Sequence, residues 1–153
     1  MEIVDIPPDQ EKKQRPNTAH MEKIKVIIDY TDNYAACPAD DRIACVSTGR
    51  TLEEVKKNIE EALQFHIEGM REDGDVIPAE FDGEWEFEWE LTARAMLHYT
   101  DGLVPKSALA KATGINQQQL THYASGYRIP RPAMRQRIID GIHSIAAQLS
   151  LIS

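Results

Sequence analysis

The chain has 153 residues, 42% of them apolar and 27% charged, with 17 Lys and Arg against 25 Asp and Glu and a formal charge of −8. That balance describes a folded protein of one ordinary or two small domains and excludes a disordered or collagen-like chain. No apolar run approaches the roughly 20 residues of a membrane span and no basic-then-apolar leader is visible, so the expectation is a cytoplasmic protein without membrane contact.

Residues 1–20, MEIVDIPPDQEKKQRPNTAH, mix Pro, charges and amides with little periodicity and read as a mobile tail or extension. Met21 opens the first patterned segment and is a candidate natural start. The following KIKVIIDYTDNYAACPADDRIACVSTG alternates β-branched runs with turn residues. It predicts strands near 23–30, 33–38 and 42–48, with turns at Thr31–Asn33 and Pro38–Asp41. Cys37 and Cys45 are the only cysteines. Their spacing fits no metal or redox motif, so they are expected to be reduced and mostly buried.

A helix is predicted next. Thr51 and Glu54 form a capping box, and Leu52, Val55, Ile59, Ala62, Leu63, His66 and Met70 recur at helical spacing. Glu53 and Lys57 form an i,i+4 pair on the other face, and Gly69 and Gly74 are the stop signals. Three strands and a covering helix make a small α+β layer. After a loop at Val76–Gly83, EWEFEWEL has strict period two, with Trp85, Phe87, Trp89 and Leu91 on one face and Glu84, Glu86, Glu88 and Glu90 on the other. A carboxylate row of this kind reads as the solvated face of an outer strand, since hard metal sites draw ligands from several elements; no metal or cofactor is expected. Glu84, Glu86 and Glu88 are also candidates to receive Lys and Arg from a partner.

VIIDYTDNYAACPADDRIACVSTGRTLEEVKKNIEEALQFHIEGMREDGDVIP resembles the N-terminal domain of HicB antitoxins. The similarity rests on the run of short strands, the G-x-TLEEV-like helix start and the REDG-x-x-IP-like exit. CPADDRIAC stands where that family carries an aromatic and a DLPGC-like turn. The resemblance implies a truncated RNase H-like sheet with one covering helix, not catalytic by itself. RNase H chemistry needs several converging carboxylates to hold two metals, and Asp29 and Asp32 have no evident second set, so no catalytic residues are expected.

The last third changes sign. Residues 21–90 carry 19 acids against 7 bases, whereas residues 91–153 carry 2 acids against 7 bases. LTARAMLHYTDG predicts a helix with Leu91, Ala95, Met96 and Tyr99 on one face, ending near Gly102. A second helix follows Pro105 and ends at Gly114, with Leu109 and Ala112 inward and Ala110 small for a close crossing. Ile115 plugs the turn, Asn116 caps, and QQQLTHYAS forms a third helix in which Leu120 and Tyr123 or Ala124 pack back. Helix, short turn opening on Gly, helix is a helix-turn-helix pattern, and ALAKATGINQQQLTHYASG resembles the λ repressor-like class.

In such a motif Gln117, Gln118, Thr121 and His122 face outward toward base edges, where Gln can bond adenine bidentately, while Gln119 lies on the flank. Ser125, Tyr127, Arg128 and Arg131 suit phosphate contacts. His66, His98 and His143 read as packing or surface residues. The final helix, with Pro132 in its first turn, carries Met134, Ile138, Ile142, Ile145 and Leu149 on one stripe, widened by Ile139, Ala146 and Ile152. Ile142, Ile145 and Leu149 are candidates for a two-fold contact.

The segment from Arg94 to Leu149 is similar to the C-terminal domains of HicB-type antitoxins that carry a helix-turn-helix. Together the two resemblances imply three segments: the tail, a toxin-binding domain over 21–90, and a DNA-binding and dimerisation domain over 91–153. The implied partners are a HicA-type toxin (a small basic mRNA endoribonuclease), operator DNA with an inverted repeat, and a second copy in a homodimer or higher homo-oligomer. The alternative is a stand-alone transcription regulator with an N-terminal sensor or oligomerisation domain.

Overall fold

A computed structural model describes residues 21–153, so the expected tail lies outside the described residues. Three strands run in succession: β1 (Glu22–Tyr30), β2 (Tyr34–Pro38) and β3 (Ser47–Gly49). Helix α1 (Leu52–Asp73) crosses over to β4 (Trp85–Leu91), and four shorter elements follow: α2 (Ala93–Asp101), α3 (Lys106–Thr113), α4 (Gln117–Ser125) and α5 (Pro132–Leu149). The class is α+β, with a four-stranded mixed sheet in the order β3-β2-β1-β4 and five α-helices among the described residues. β1 pairs β2 antiparallel and β4 parallel, which the long crossover through α1 permits.

The sheet is built by alternation. Ile24, Val26 and Ile28 are buried under α1, in register with Phe87, Trp89 and Leu91. Val55, Ile59 and Leu63 on α1 are fully buried against them, each side chain removing roughly 1.5–3 kcal/mol of apolar exposure. The Thr51 hydroxyl accepts from the Glu54 amide at 3.1 Å, as the capping box requires.

Several sequence expectations are corrected. The helix runs past Gly69 and ends at Gly74, whose φ of +74° suits glycine. The inward residue of its last full turns is Ile67, while His66 is half-buried. Lys57 pairs forward with Glu61, at 3.9 Å, rather than back with Glu53. The expected strand over 42–48 shrinks to β3 because the preceding segment is a turn. There Ile43 is buried in the core and Arg42 bridges Asp40 and Glu80. The hydrogen bonds from the Arg42 side chain and amide lower the pKa of the Asp40 carboxyl to about 2. The loop expected over 76–83 contains a 3-10 turn at Ala79–Phe81 that buries Phe81. Cys37 and Cys45 are free but half-buried, and burial pushes the Cys45 thiol up.

A second core lies in the last third, formed by Met96, Leu97, Leu109, Ile115, Leu120, Tyr123 and Ile138. On α2 the buried face is Ala95, Met96, Leu97 and Thr100, whereas Tyr99 is 40% exposed. The close crossing of α3 and α5 falls at Gly141, where an added Cβ would stand 2.4 Å from Thr113 Cγ2; Ala110 lies at the margin. Leu91 packs against both cores. Among the described residues no helix is long and apolar enough to cross a membrane.

Candidate nucleic-acid interface

The turn between α3 and α4 is fixed at each residue. Gly114 ends α3 with its amide on the Ala110 carbonyl. Ile115 is buried, and its amide donates to Thr113 Oγ1 at 3.2 Å. Asn116 Oδ1 accepts from the Gln119 amide at 2.8 Å, satisfying one of the open donors at the start of α4. Leu120 and Tyr123 then anchor α4 in the second core. The Gln119 side chain does not face outward; its Nε2 donates to Tyr123 Oη at 2.6 Å.

Gln117, Gln118 and Thr121 are exposed. Among the described residues neither Gln117 nor Gln118 spends its side-chain amide on an intramolecular hydrogen bond. Thr121 Oγ1 donates to the Gln117 carbonyl at 2.9 Å and receives Lys106 Nζ at 3.5 Å. His122 departs from the outward expectation: it is half-buried, with its ring centroid 5.0 Å from that of Tyr127. Ser125 Oγ donates to the His122 carbonyl and accepts from the Tyr127 amide. Tyr127 is 74% exposed, and Arg128 and Arg131 are exposed beside it. The row Gln117, Gln118, Thr121 and the cluster Ser125, Tyr127, Arg128, Arg131 thus belong to α4 and the loop that leaves it. The uncommitted side-chain amides of Gln117 and Gln118 at the start of α4, and the exposed guanidinium groups in the loop after it, are groups that can hydrogen-bond base edges and phosphates.

Not every base in this half is free for such a role. Arg135 Nη2 donates to the Leu91 carbonyl at 2.7 Å, and Arg137 Nη2 to the Thr113 carbonyl at 3.0 Å. Arg94 pairs with Asp29. Lys106, Lys111, Arg128 and Arg131 remain without an ion-pair partner among the described residues.

Sequence reasoning missed the junction between the halves. Asp29, near the end of β1, accepts from Thr92 Oγ1 at 2.6 Å and from Arg94 Nη2 at 2.6 Å and Nε at 3.2 Å. Burial pushes the Asp29 carboxyl up, but these bonds and the Tyr30 amide outweigh it and leave the pKa lowered. The same bonds raise the Arg94 pKa. Nearby, Tyr30 stacks on His98 with centroids 3.5 Å apart and planes 11° from parallel. The Thr92 hydroxyl also caps α2, so one residue both starts the helix and ties it to β1. A cavity of about 370 Å³ opens beside this network, between β1 and the loop after α4.

On the opposite half, Glu84, Glu86 and Glu88 are exposed, and Glu90 pairs with Lys25 at 3.6 Å. Lys23 and Lys25 lie in register with Glu86 and Glu88 on β1, which moderates the row's field. On α5, Ile142 and Ile145 are half-buried against the second core, whereas Leu149 at its end and Leu151 and Ile152 beyond it are 57–83% exposed. The three proposed contact residues therefore divide between core and surface. Among the described residues, no group of three or more His, Cys, Asp or Glu is gathered closely enough to hold a metal ion.

No family model matches the chain. Part of it is similar to the uncharacterized 14.9 kDa protein in the rep-hol intergenic region of Haemophilus phage HP1 (strain HP1c1), at 53% identity over 34 residues. The match covers 22% of this chain and 26% of that protein, so it spans about a quarter of the relative's length.

Proposed function

We propose that the protein is a HicB-type antitoxin: its sheet half covers a basic HicA-type endoribonuclease, and its helical half represses an operon through operator DNA. The sheet would be a truncated RNase H-like unit, a reading supported by the strand order and the single crossover helix. The helical half would be a λ repressor-like helix-turn-helix, supported by the Gly114–Ile115–Asn116 turn and its caps. The carrying observation is the exposed, uncommitted pair Gln117 and Gln118 on a helix whose opposite face is locked into a core. The charge division supports two partners of opposite sign, since complementary fields speed encounter and reject wrong partners. Mobility-shift titration of the full chain against DNA upstream of its own gene tests the reading. Specific binding to an inverted repeat is the expected outcome, and indifference to sequence contradicts it.

The cavity at the junction favours a second reading, a stand-alone regulator that senses a small molecule. It lies between Asp29, Arg94, Arg128 and Arg135, so a ligand there would touch both halves. A gene for a small basic protein beside this one supports the antitoxin; its absence, with operator affinity that responds to a metabolite, supports the regulator.

A further inference from the structure

We propose that the free edge of β4 docks an extended cationic segment of a partner protein, which joins the sheet as a fifth strand. β4 ends the order β3-β2-β1-β4, and among the described residues no strand pairs its outer edge. The Thr92 amide donates to the Ile28 carbonyl, so the even-numbered positions of this strand turn their backbone groups toward β1. By alternation, Trp85, Phe87 and Trp89 turn theirs to the open edge. The rings of those three residues form the floor of a groove of about 830 Å³ between β4 and α1. Residues that offer backbone hydrogen bonds thus also offer the side-chain surface beneath an added strand.

Charge selects the occupant. Glu60 and Glu68 of α1 line one side of the groove, and Glu84 and Glu86 the other; Arg71 is the one base lining it. Lys25 takes Glu90 as its ion-pair partner, leaving Glu86 and Glu88 without one among the described residues. Lys56 Nζ sits 5.2 Å from the Trp89 ring centroid, so this aromatic face already accepts an ammonium group. An added strand with Lys or Arg at alternate positions sets one set of side chains over the aromatic floor or beside the outer carboxylates. A second copy of β4 is disfavoured, because edge-to-edge pairing brings Glu86 and Glu88 against their own kind. Strand addition of this type takes affinity from the main chain and specificity from alternate side chains. The inference deepens the reading of the sheet half as the binder of a basic partner, and rests on it only for the source of the segment.

The probe is a capped heptapeptide of alternating Lys and Val, titrated into isotope-labelled full-length protein. Its counterparts are the same peptide N-methylated throughout and one with Glu for Lys. The expected result is peptide-induced protection of the Phe87 and Trp89 amides by at least tenfold in hydrogen exchange. Methylation should cost at least tenfold in affinity, and the Glu peptide should not bind. Glu86→Lys with Glu88→Lys should lower affinity at least tenfold with an unchanged circular dichroism spectrum. Equal binding by the methylated peptide, protection elsewhere, or no binding at millimolar peptide overturns the proposal. Protection of the two amides before peptide is added also overturns it, because residues 1–20 or a second copy would then hold the edge. The peptide reads the edge without a toxin, so toxin neutralisation with an unprotected edge refutes this inference alone.

Discussion

Arg94, in the first turn of α2, grips Asp29 on β1 through two of its nitrogens and lies directly beneath Gly126, the residue that ends α4. A Cβ at Gly126 would stand 2.8 Å from Arg94 Nη1. One side chain therefore connects the sheet to the end of the proposed recognition helix. Arg94→Ala should destabilise the protein by about 1–2 kcal/mol, held to that range because solvent screens a pair about one-third exposed. Gly126→Ala should cost about 1–2 kcal/mol through its φ of +80° alone. Urea unfolding followed by tryptophan fluorescence measures both.

The Asp29 carboxyl adds a pH dependence. Its pKa is lowered in the folded state, so its contribution is complete above the ordinary value of 3.8 and disappears as pH falls through the lowered one. Asp29→Asn should reduce stability at neutral pH and flatten the loss seen below about pH 4. A matching acid profile in the two proteins removes Asp29 from the account.

Gln118→Ala should weaken operator binding by about 1–3 kcal/mol and relax preference at one base position. Arg128→Ala should weaken specific and non-specific DNA alike and reduce the salt slope by about one charge. Fluorescence anisotropy over a salt series separates the two, and a uniform loss across sequences in both variants contradicts the groove assignment.

Much of this arrangement was legible in the sequence because it follows from periodicity and short-range chemistry. The capping box at Thr51, the alternation of β4, the plug at Ile115 and the cap at Asn116 each depend on residues a few positions apart. What escaped depends on distant ones. β3 is short because Ile43 is drawn into a core and Arg42 reaches Glu80, 38 positions on. The Asp29 network was not legible because Thr92 and Arg94 lie 63 and 65 residues away. His122 looked outward because helical spacing cannot show that Tyr127 folds back beside it.

A two-fold assembly through α5 should set half-sites about 34–36 Å apart, or a multiple of that spacing. Leu149 is 57% exposed, so Leu149→Asp should sever the dimer without unfolding the chain. Ile145→Asp, partly inside the second core, should sever it and also lower stability. Sedimentation velocity reads the first effect and thermal unfolding the second; a monomeric parent protein at high micromolar concentration contradicts the assembly.

The central claim is a division of labour between an acidic sheet half that would hold a toxin and a basic helical half that would read DNA. Its most direct test is growth rescue in cells expressing a HicA-type endoribonuclease, taken from beside this gene where one is encoded there, with operator repression read in parallel. Gln118→Ala with Arg128→Ala should rescue growth like the parent chain while losing repression, and Glu86→Lys with Glu88→Lys should do the reverse. Loss of both activities together in either variant, or rescue that depends on the α4 residues, contradicts the claim.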